Sequence, residues 1–314
     1  MTFGGFDTIP AGMLYNEVPA EVKIIADSIS PDGIRLPTWH ARYWRPIHAE
    51  VMTHRDFSRN ARSSRAVPTV KLLAEDPFMP HFMQNQPGMQ ALQEMPEPAR
   101  KLAEKIWYDL ARHTQAEVEK LHELGVHKQW ANRPLEWFGW IDVLITSTNL
   151  QNFWNLRIHS AAQPELQTMA AMMNKALADS TPQLLRPGEW HMPYVHWTRV
   201  RDKQLFWTSD AEGKRYSLTL EEALKLSTAR CARLSYKPFD GSDKLSDEFA
   251  RYDRLITDTP PHATPSEHQC TPDRWIEDED EGHWEQPLLH GNLYGWVQHR
   301  KLIPGERALD IRKL

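Results

Sequence analysis

A short basic segment near the start of the chain carries side chains suited to chemistry. This basic segment, Thr53 to Arg65, holds four arginines, three serines, one histidine and one asparagine against a single carboxylate. Arg55, Arg59 and Arg62 are spaced at i, i+4 and i+7, so a helix would place them on one face. Crowded guanidinium groups repel one another unless an anion lies among them, and their planar fork suits phosphate. The segment therefore predicts either a phosphate-binding site or a solvated basic helix face.

The spacing within the basic segment resembles the signature of the flavin-dependent thymidylate synthase family. That signature reads Arg-His-Arg-x-x-Ser-x-Asn-x-x-Ser-x-Arg, and the chain matches every fixed position except the first, where Thr53 replaces arginine. The resemblance implies reductive methylation of dUMP to dTMP. In that reaction 5,10-methylenetetrahydrofolate supplies one carbon, FADH2 supplies a hydride, and NADPH regenerates the reduced FAD.

A second segment, Asn152 to Arg157 followed by Ala162 and Glu165, is similar to a helical region of the same family. By this resemblance Arg157 contacts the uracil ring and favours its form ionised at N3. A cation beside that nitrogen lowers its pKa and increases electron density at C5, where the new carbon attaches. The alternative is that Arg157 only pairs with a carboxylate such as Glu165.

A third segment, here called the late turn, runs from His262 to His268. Together with Ala229 to Tyr236, it resembles segments that family members carry before the basic signature, whereas here both follow it. The order therefore resembles a circular permutation, which is tolerated where chain termini lie close together. A capped turn or a metal site is the alternative. The chain has no His-Glu-x-x-His pair and the His262–His268 spacing is not a standard ligand pattern, so we expect no metal.

The resemblance implies a role for each matched position. Arg157 is the implied catalytic residue. The implied nucleotide-binding residues are Glu50, Ser63, Ser64, Arg65, Arg133 and Arg157. The implied cofactor-binding residues are Thr53, His54, Arg55, Asn60, Thr148, Asn152, His262 and Thr264.

Four positions depart from the family pattern. Thr53 removes a cation, Ala61 stands where many members have glutamate, Glu50 where glutamine is common, and Ser64 where glycine is common. These changes affect the expected identity of the bound nucleotide more than the expected binding of flavin. They leave open another pyrimidine nucleotide such as dCMP, or hydroxymethyl transfer, and they indicate a divergent, phage-type branch.

The composition is that of a globular protein whose positive charge is local. The chain has 314 residues, 40% hydrophobic and 25% charged, with a formal net charge of −5. Such a charge does not suit a protein that coats nucleic acid, so no nucleic-acid partner is expected. A nucleic-acid-binding module that uses Arg55 to Arg65 is the alternative from another class, and a catalytically inactive family relative is a third possibility.

No membrane span or signal peptide is expected, because the chain lacks a run of about eighteen apolar residues and a basic N-terminal start. We therefore expect a cytoplasmic protein, in the host cytoplasm if it is viral. Cys231 and Cys270 are too few for a disulfide framework and are expected to be free thiols. Neither lies in an electropositive motif that would make it a nucleophile, and a reduced flavin removes the need for one.

The expected fold class is α+β, a mostly antiparallel sheet packed with long helices and similar to flavin-dependent thymidylate synthases. We expect a single domain over residues 1–314, and the resemblance implies a homotetramer with flavin sites between subunits. Residues 20–70 should form strands plus a signature helix, 97–180 a helical region, and 188–314 the permuted strands and helices.

Several elements can be placed by pattern. Residues 21–29 and 34–44 should be strands. A long helix should follow Pro98, and further helices should begin near Ser147 or Thr148, at Pro164, at the capping box Thr219-x-x-Glu222, and at Ser246. The apolar stripe expected on the long helix comprises Leu102, Ile106, Leu110, Val118, Leu121 and Leu124. Methionines at helical spacing after Pro164 should fill the core.

Overall fold

The computed structural model describes residues 20–306 apart from 90, 92, 211, 235–243, 259–260 and 279–280. Its strands are β1 (Glu21–Ile29), β2 (Arg35–Trp44), β3 (Ser58–Ala61), β4 (Trp140–Thr146), β5 (Gln183–Leu184), β6 (His196–Val200), β7 (Lys203–Ser209), β8 (Arg215–Leu218), β9 (Cys270–Pro272), β10 (Trp275–Ile276), β11 (His283–Trp284) and β12 (Trp296–Gln298). Its α-helices are α1 (His48–Val51), α2 (Thr69–Leu73), α3 (Glu97–Glu123), α4 (Lys128–Ala131), α5 (Gln151–Arg157), α6 (Pro164–Ala178), α7 (Leu220–Arg233) and α8 (Leu245–Thr257). Short 3-10 helices cover Arg45–Ile47, Arg133–Trp137, Thr264–Glu267, Pro287–Leu289 and His299–Leu302.

A five-stranded sheet in the order β3-β4-β2-β1-β5 forms the centre of the fold. Neighbouring strands are antiparallel except β1 and β5, which are parallel. The turn between β1 and β2 uses Gly33 at φ +80°, a conformation that glycine adopts without steric cost. The predicted strands at 21–29 and 34–44 and the predicted mostly antiparallel sheet are confirmed.

Helix α6 packs one apolar face on this sheet. Leu166, Met169, Ala170 and Met173 are fully buried. The indole Nε1 of Trp39 on β2 donates to the backbone oxygen of Met173 at 3.2 Å. The prediction that the methionines fill the core is confirmed.

The long helix α3 exists as predicted, but its predicted apolar stripe is wrong at four of its six positions. Leu102, Ile106 and Leu110 are 53–59% exposed. The side facing the protein carries Ala111, which was not predicted, and Val118 from the predicted stripe, and both are buried. Successive helix positions are rotated by about 100°, so the exposed line and the buried line lie on different faces of one helix. Of the predicted stripe, Val118 was placed correctly.

The alternative of a solvated basic helix face over the basic segment is wrong. Helix α1 ends at Val51, a turn follows, and β3 then pairs with β4 so that Ser58 lies opposite Thr146. Phe57 and Ser58 are buried, and strand pairing satisfies the backbone at this point. Because side chains in a strand alternate between faces, the arginines of this segment do not share one helical face.

Two predicted helix caps are wrong and one is confirmed. Helix α5 begins at Gln151, and the Ser147 hydroxyl instead accepts from the Asn149 backbone N–H at 3.1 Å in a tight turn. Helix α8 begins at Leu245, before Ser246. The capping box is present, with each of its two side chains accepting from the other residue's backbone N–H.

The second half of the chain folds as a three-stranded antiparallel sheet, β6-β7-β8, and two two-stranded sheets, β9–β12 and β10–β11. The tryptophan-rich stretch 188–208 is therefore strand only in part. Cys231 and Cys270 are buried free thiols, and burial raises the pKa of both. Within the described ranges, none of the helices has the length and apolar character needed to cross a bilayer.

A chain of buried hydrogen bonds fastens the late turn to the central sheet. His191 bonds Ser28 Oγ through Nδ1 and Thr38 Oγ1 through Nε2, each at 2.8 Å. Thr38 Oγ1 lies 2.6 Å from Thr146 Oγ1, which lies 2.8 Å from His268 Nδ1. Burial lowers the pKa of His191 and of His268 to about 3, so both imidazoles are neutral at pH 7.

These histidines should make stability depend on pH. In the unfolded chain both imidazoles take up protons below the ordinary histidine pKa of 6.5. In the folded chain they stay neutral down to about pH 3. The free energy of unfolding should therefore fall as pH decreases through this window, by up to about 1.4 kcal/mol per pH unit for each histidine. Urea denaturation between pH 7 and pH 5 should show this slope and a smaller one in His191→Gln. The exposed His113→Gln is the control, and equal slopes in both variants would contradict the assignment.

Candidate functional site

Arg157, at the end of α5, meets three residues that lie about a hundred positions earlier. Its Nε donates to His54 Nε2 at 3.0 Å. Its Nη1 lies 3.5 Å from Glu50 Oε2, and its Nη2 lies 3.4 Å from Thr53 Oγ1. Helix α1 carries Glu50, and the turn after it carries the other two. We call these four residues the Arg157 cluster; all four were predicted site residues.

His54 holds Arg157 without cancelling its charge. The imidazole is 8% exposed and packs edge-on against Phe153, with ring centroids 4.9 Å apart. Burial, followed by the positive charges of Arg157 and Arg59, lowers the pKa of His54. Its Nε2 accepts from Arg157, so the neutral ring carries its proton on Nδ1. His54 therefore leaves the guanidinium charge unopposed, and within the Arg157 cluster the carboxylate that faces this charge is Glu50, at 3.5 Å.

Beside the Arg157 cluster lies a surface cleft of about 490 Å³. Residues that line this cleft include Arg55, Phe57, Arg59, Thr264, Glu267 and Asn292. The Phe57 ring also contacts His54, with centroids 5.5 Å apart, so the cleft and the cluster adjoin. The cleft thus joins the basic segment to the late turn, which the sequence places more than half the chain away.

Some residues of the cleft are of types that could hold a flavin dinucleotide. Arg55 and Arg59 could supply cations for a pyrophosphate, and the exposed side chain of Met52 could supply apolar surface for a ring system, whereas Phe57 is buried behind the cleft wall. Arg59 is itself fixed, because its Nη1 donates to the backbone oxygen of Val51 at 3.2 Å. For a metal, by contrast, the described part of the chain offers no group of three or more suitable ligands, including at the late turn.

A second cluster forms around a carboxylate. Glu136 Oε1 accepts from the hydroxyl of Ser64, and it lies 3.1 Å from Arg45 Nη2 and 3.0 Å from Arg133 Nη1. We call these four residues the Glu136 cluster. The predicted nucleotide-binding set is thereby divided within one chain, with Glu50 and Arg157 in one cluster and Ser64 and Arg133 in the other.

Other polar residues of the basic segment are engaged with the protein itself. Asn60 Nδ2 donates to the backbone oxygen of Cys231 at 2.7 Å, at the end of α7. Arg62 pairs with Glu75 at 2.9 Å and with Asp142 at 3.1 Å, and only 12% of its side chain is exposed. Through these contacts Asn60 and Arg62 hold the basic segment in position.

The remaining predicted site residues lie at the surface or in another cavity. Thr148 lines a separate cavity together with Arg35 and Tyr294. The predicted residues that are exposed outside both clusters and the cleft are Ser63, Arg65, Asn152 and His262.

Sequence reasoning missed Arg45, Glu136, Glu267 and Asn292. The i, i+3 spacing of Arg133 and Glu136 is a signal that could have indicated their ion pair. No comparable local signal connects Arg45, Glu267 or Asn292 to the basic segment, because each contact depends on the tertiary fold.

No protein-family model matches this sequence, and no curated protein matches it. Among solved structures, the chain is similar to a UMP/dUMP methylase, PolB from Streptomyces cacaoi, bound with 5-Br UMP. The TM-score is 0.43 at 17% identity, over 51% of this chain and 89% of that chain. For the same methylase bound with 5-Br dUMP, the TM-score is 0.42 at 16% identity, over 51% and 90% of the two chains.

The Arg157 cluster makes a testable electrostatic prediction. Because the Arg157 charge lowers the pKa of His54, Arg157→Ala should raise that pKa toward its ordinary value. An NMR titration of the His54 ring protons would measure the change. Arg55→Ala, which removes an exposed cation next to His54 in sequence, is the control and should have a smaller effect. An unchanged pKa in Arg157→Ala would show that the two side chains do not meet.

Proposed function

We propose that this protein is an FAD-dependent enzyme that reductively methylates a pyrimidine nucleotide, with dUMP as substrate and dTMP as product. One observation carries the proposal: the basic segment meets Arg157 on one side and the late turn on the other, beside a cleft that suits flavin. These are the three segments whose sequences resemble flavin-dependent thymidylate synthases, and their meeting would be unexplained if the resemblance were accidental.

The chain's own residues would bind and polarise the substrates. Arg55 and Arg59 would hold the cofactor phosphates, with Thr264 from the late turn contributing a hydroxyl. Bound there, FAD would supply the hydride, with NADPH as its reductant and 5,10-methylenetetrahydrofolate as the one-carbon donor. Arg157, oriented by neutral His54, would contact the uracil ring and lower the pKa of N3. That contact increases electron density at C5 and so favours attachment of the carbon.

The nucleotide phosphate would bind at the Glu136 cluster, where Ser64 and Arg133 lie, with exposed Ser63 and Arg65 nearby in sequence. Nucleotide-binding residues divided between two clusters of one chain are the arrangement that a site shared between subunits would produce. A homotetramer with shared sites therefore forms part of the proposal.

Glu50 favours a second candidate substrate. Its carboxylate lies 3.5 Å from Arg157, where the family commonly has glutamine. A carboxylate can accept from the exocyclic amine of cytosine, which uracil lacks. Transfer of a methyl or hydroxymethyl group to dCMP is therefore the alternative reaction at the same site.

The structure argues against the basic segment as a nucleic-acid-binding surface. Arg62 is paired with two carboxylates, and Arg59 is half-buried in the cleft. Binding to a nucleic-acid backbone needs several cations free to contact successive phosphates. Arg55 and Arg65 are the exposed arginines of the segment, and two cations are few for that purpose.

Product formation tests the proposal. Purified protein given FAD, NADPH, methylenetetrahydrofolate and either dUMP or dCMP should yield a methylated or hydroxymethylated nucleotide by mass spectrometry. Arg157→Ala should lower turnover by about 100-fold or more, because it removes transition-state charge stabilisation, while flavin absorbance is retained. Exposed Arg254→Ala is the matched control. Wild-type turnover in Arg157→Ala would refute the role of Arg157, and absence of product with either nucleotide would refute the proposed reaction.

A further inference from the structure

The Glu136 carboxylate lies where an external anion would be expected. A hydroxyl from Ser64 and guanidinium groups from Arg45 and Arg133 converge on its Oε1. The three donors come from different parts of the chain, so their convergence is a property of the fold. Two guanidiniums and a hydroxyl are a donor set that suits a phosphate monoester.

The donors around Glu136 are held by a buried scaffold. Asn132 is 1% exposed, and its Nδ2 donates to the backbone oxygens of Ser64 at 2.8 Å and Val67 at 3.0 Å. The backbone N–H of Arg45 donates to the Gly139 oxygen at 3.0 Å. Two of the donors are therefore anchored at their backbones, whichever anion they bind.

Asn132 also offers an unused acceptor beside the cluster. Because both hydrogen bonds of its Nδ2 go to carbonyl oxygens, the orientation of the amide is fixed, and Oδ1 must be the other atom. Among the described residues, this buried Oδ1 has no hydrogen-bond partner. Asn132 lines the same cavity as Ser64, Arg45 and Glu136. A ligand that carries both an anionic phosphate and a hydroxyl, such as a nucleoside monophosphate, would satisfy both features.

The cavity is too small for that ligand while Glu136 remains in place. Its volume is about 30 Å³, which leaves room for about one water molecule but not for a phosphate group. The neighbouring carboxylate of Glu75 is engaged elsewhere, with Arg62 at 2.9 Å and Arg42 at 3.6 Å. Glu136 is thus the group that must move.

We propose that the Glu136 cluster is a phosphate site masked by its own glutamate, and that a nucleotide phosphate binds by displacing the Glu136 carboxylate. A phosphate dianion offers three acceptor oxygens, so it can pair with both arginines and the serine at separate atoms, whereas the carboxylate presents one oxygen to all three. The displaced Glu136, whose side chain is 23% exposed, turns toward solvent. That Glu136 occupies a phosphate site does not depend on the proposed reaction. Only the identification of the ligand as a nucleotide rests on the proposed function.

Isothermal titration with inorganic phosphate and with dUMP tests the masking. Glu136→Gln keeps the shape of the side chain but removes the competing charge, and it should bind both ligands about 10-fold more tightly or better. Glu136→Asp, whose shorter carboxylate withdraws from the arginines, should show a smaller gain. Arg133→Ala introduced into Glu136→Gln should reverse the gain. Glu119→Gln, an exposed change of the same charge on α3, is the control for general electrostatics.

Equal or weaker phosphate binding by Glu136→Gln, relative to Glu119→Gln in equally folded proteins, would overturn the proposal. If Glu136→Gln folds poorly, Glu136→Asp is the second variant. Phosphate binding by Glu136→Asp that is no tighter than by Glu119→Gln would also overturn the proposal. Tighter phosphate binding without any methylated product would support the masked site while refuting the proposed reaction. The two hypotheses therefore fail separately.

Discussion

The pairing of β3 with β4 is the constraint on which the candidate site depends. It places Ser58 opposite Thr146 and so fixes the middle of the basic segment on the central sheet. The same Thr146 bonds His268, which brings the late turn to this edge of the sheet. One strand residue therefore aligns two segments that are far apart in sequence, and the cleft between Arg59 and Thr264 follows from that alignment.

Positive charge in and around the basic segment is divided among separate tasks. Arg62 is neutralised by carboxylates and stabilises the fold, whereas Arg59 and Arg55 line the cleft. Arg157 is oriented by a neutral histidine and has a longer ion pair, 3.5 Å, with the half-exposed Glu50. The basic segment, which is one cationic patch in the sequence, thus contributes to two kinds of site in the fold. Arg62 is paired with carboxylates of the protein, whereas Arg55 and Arg59 line a cleft that a ligand can enter.

Local patterns in the sequence predicted the elements that depend on local interactions. Strands β1 and β2, the capping box of α7 and the buried face of α6 all follow from side-chain alternation, capping or helical spacing. The resemblance named Glu50, Thr53, His54 and Arg157 as site residues, in two different roles, and the fold brings the four side chains together. The helix face that the arginine spacing allowed as an alternative does not form, because pairing with β4, a contact between distant residues, overrides local spacing. For the same reason no sequence pattern could place Arg45 against Glu136, since that contact exists only in the folded chain.

Hydrogen–deuterium exchange with and without FAD tests most directly whether the basic segment and the late turn form one cofactor site. The account predicts that FAD slows exchange of backbone amides in both residues 52–61 and residues 262–268, and leaves β6, β7 and β8 unchanged. Protection of one segment alone, or of neither while FAD is bound, would contradict it.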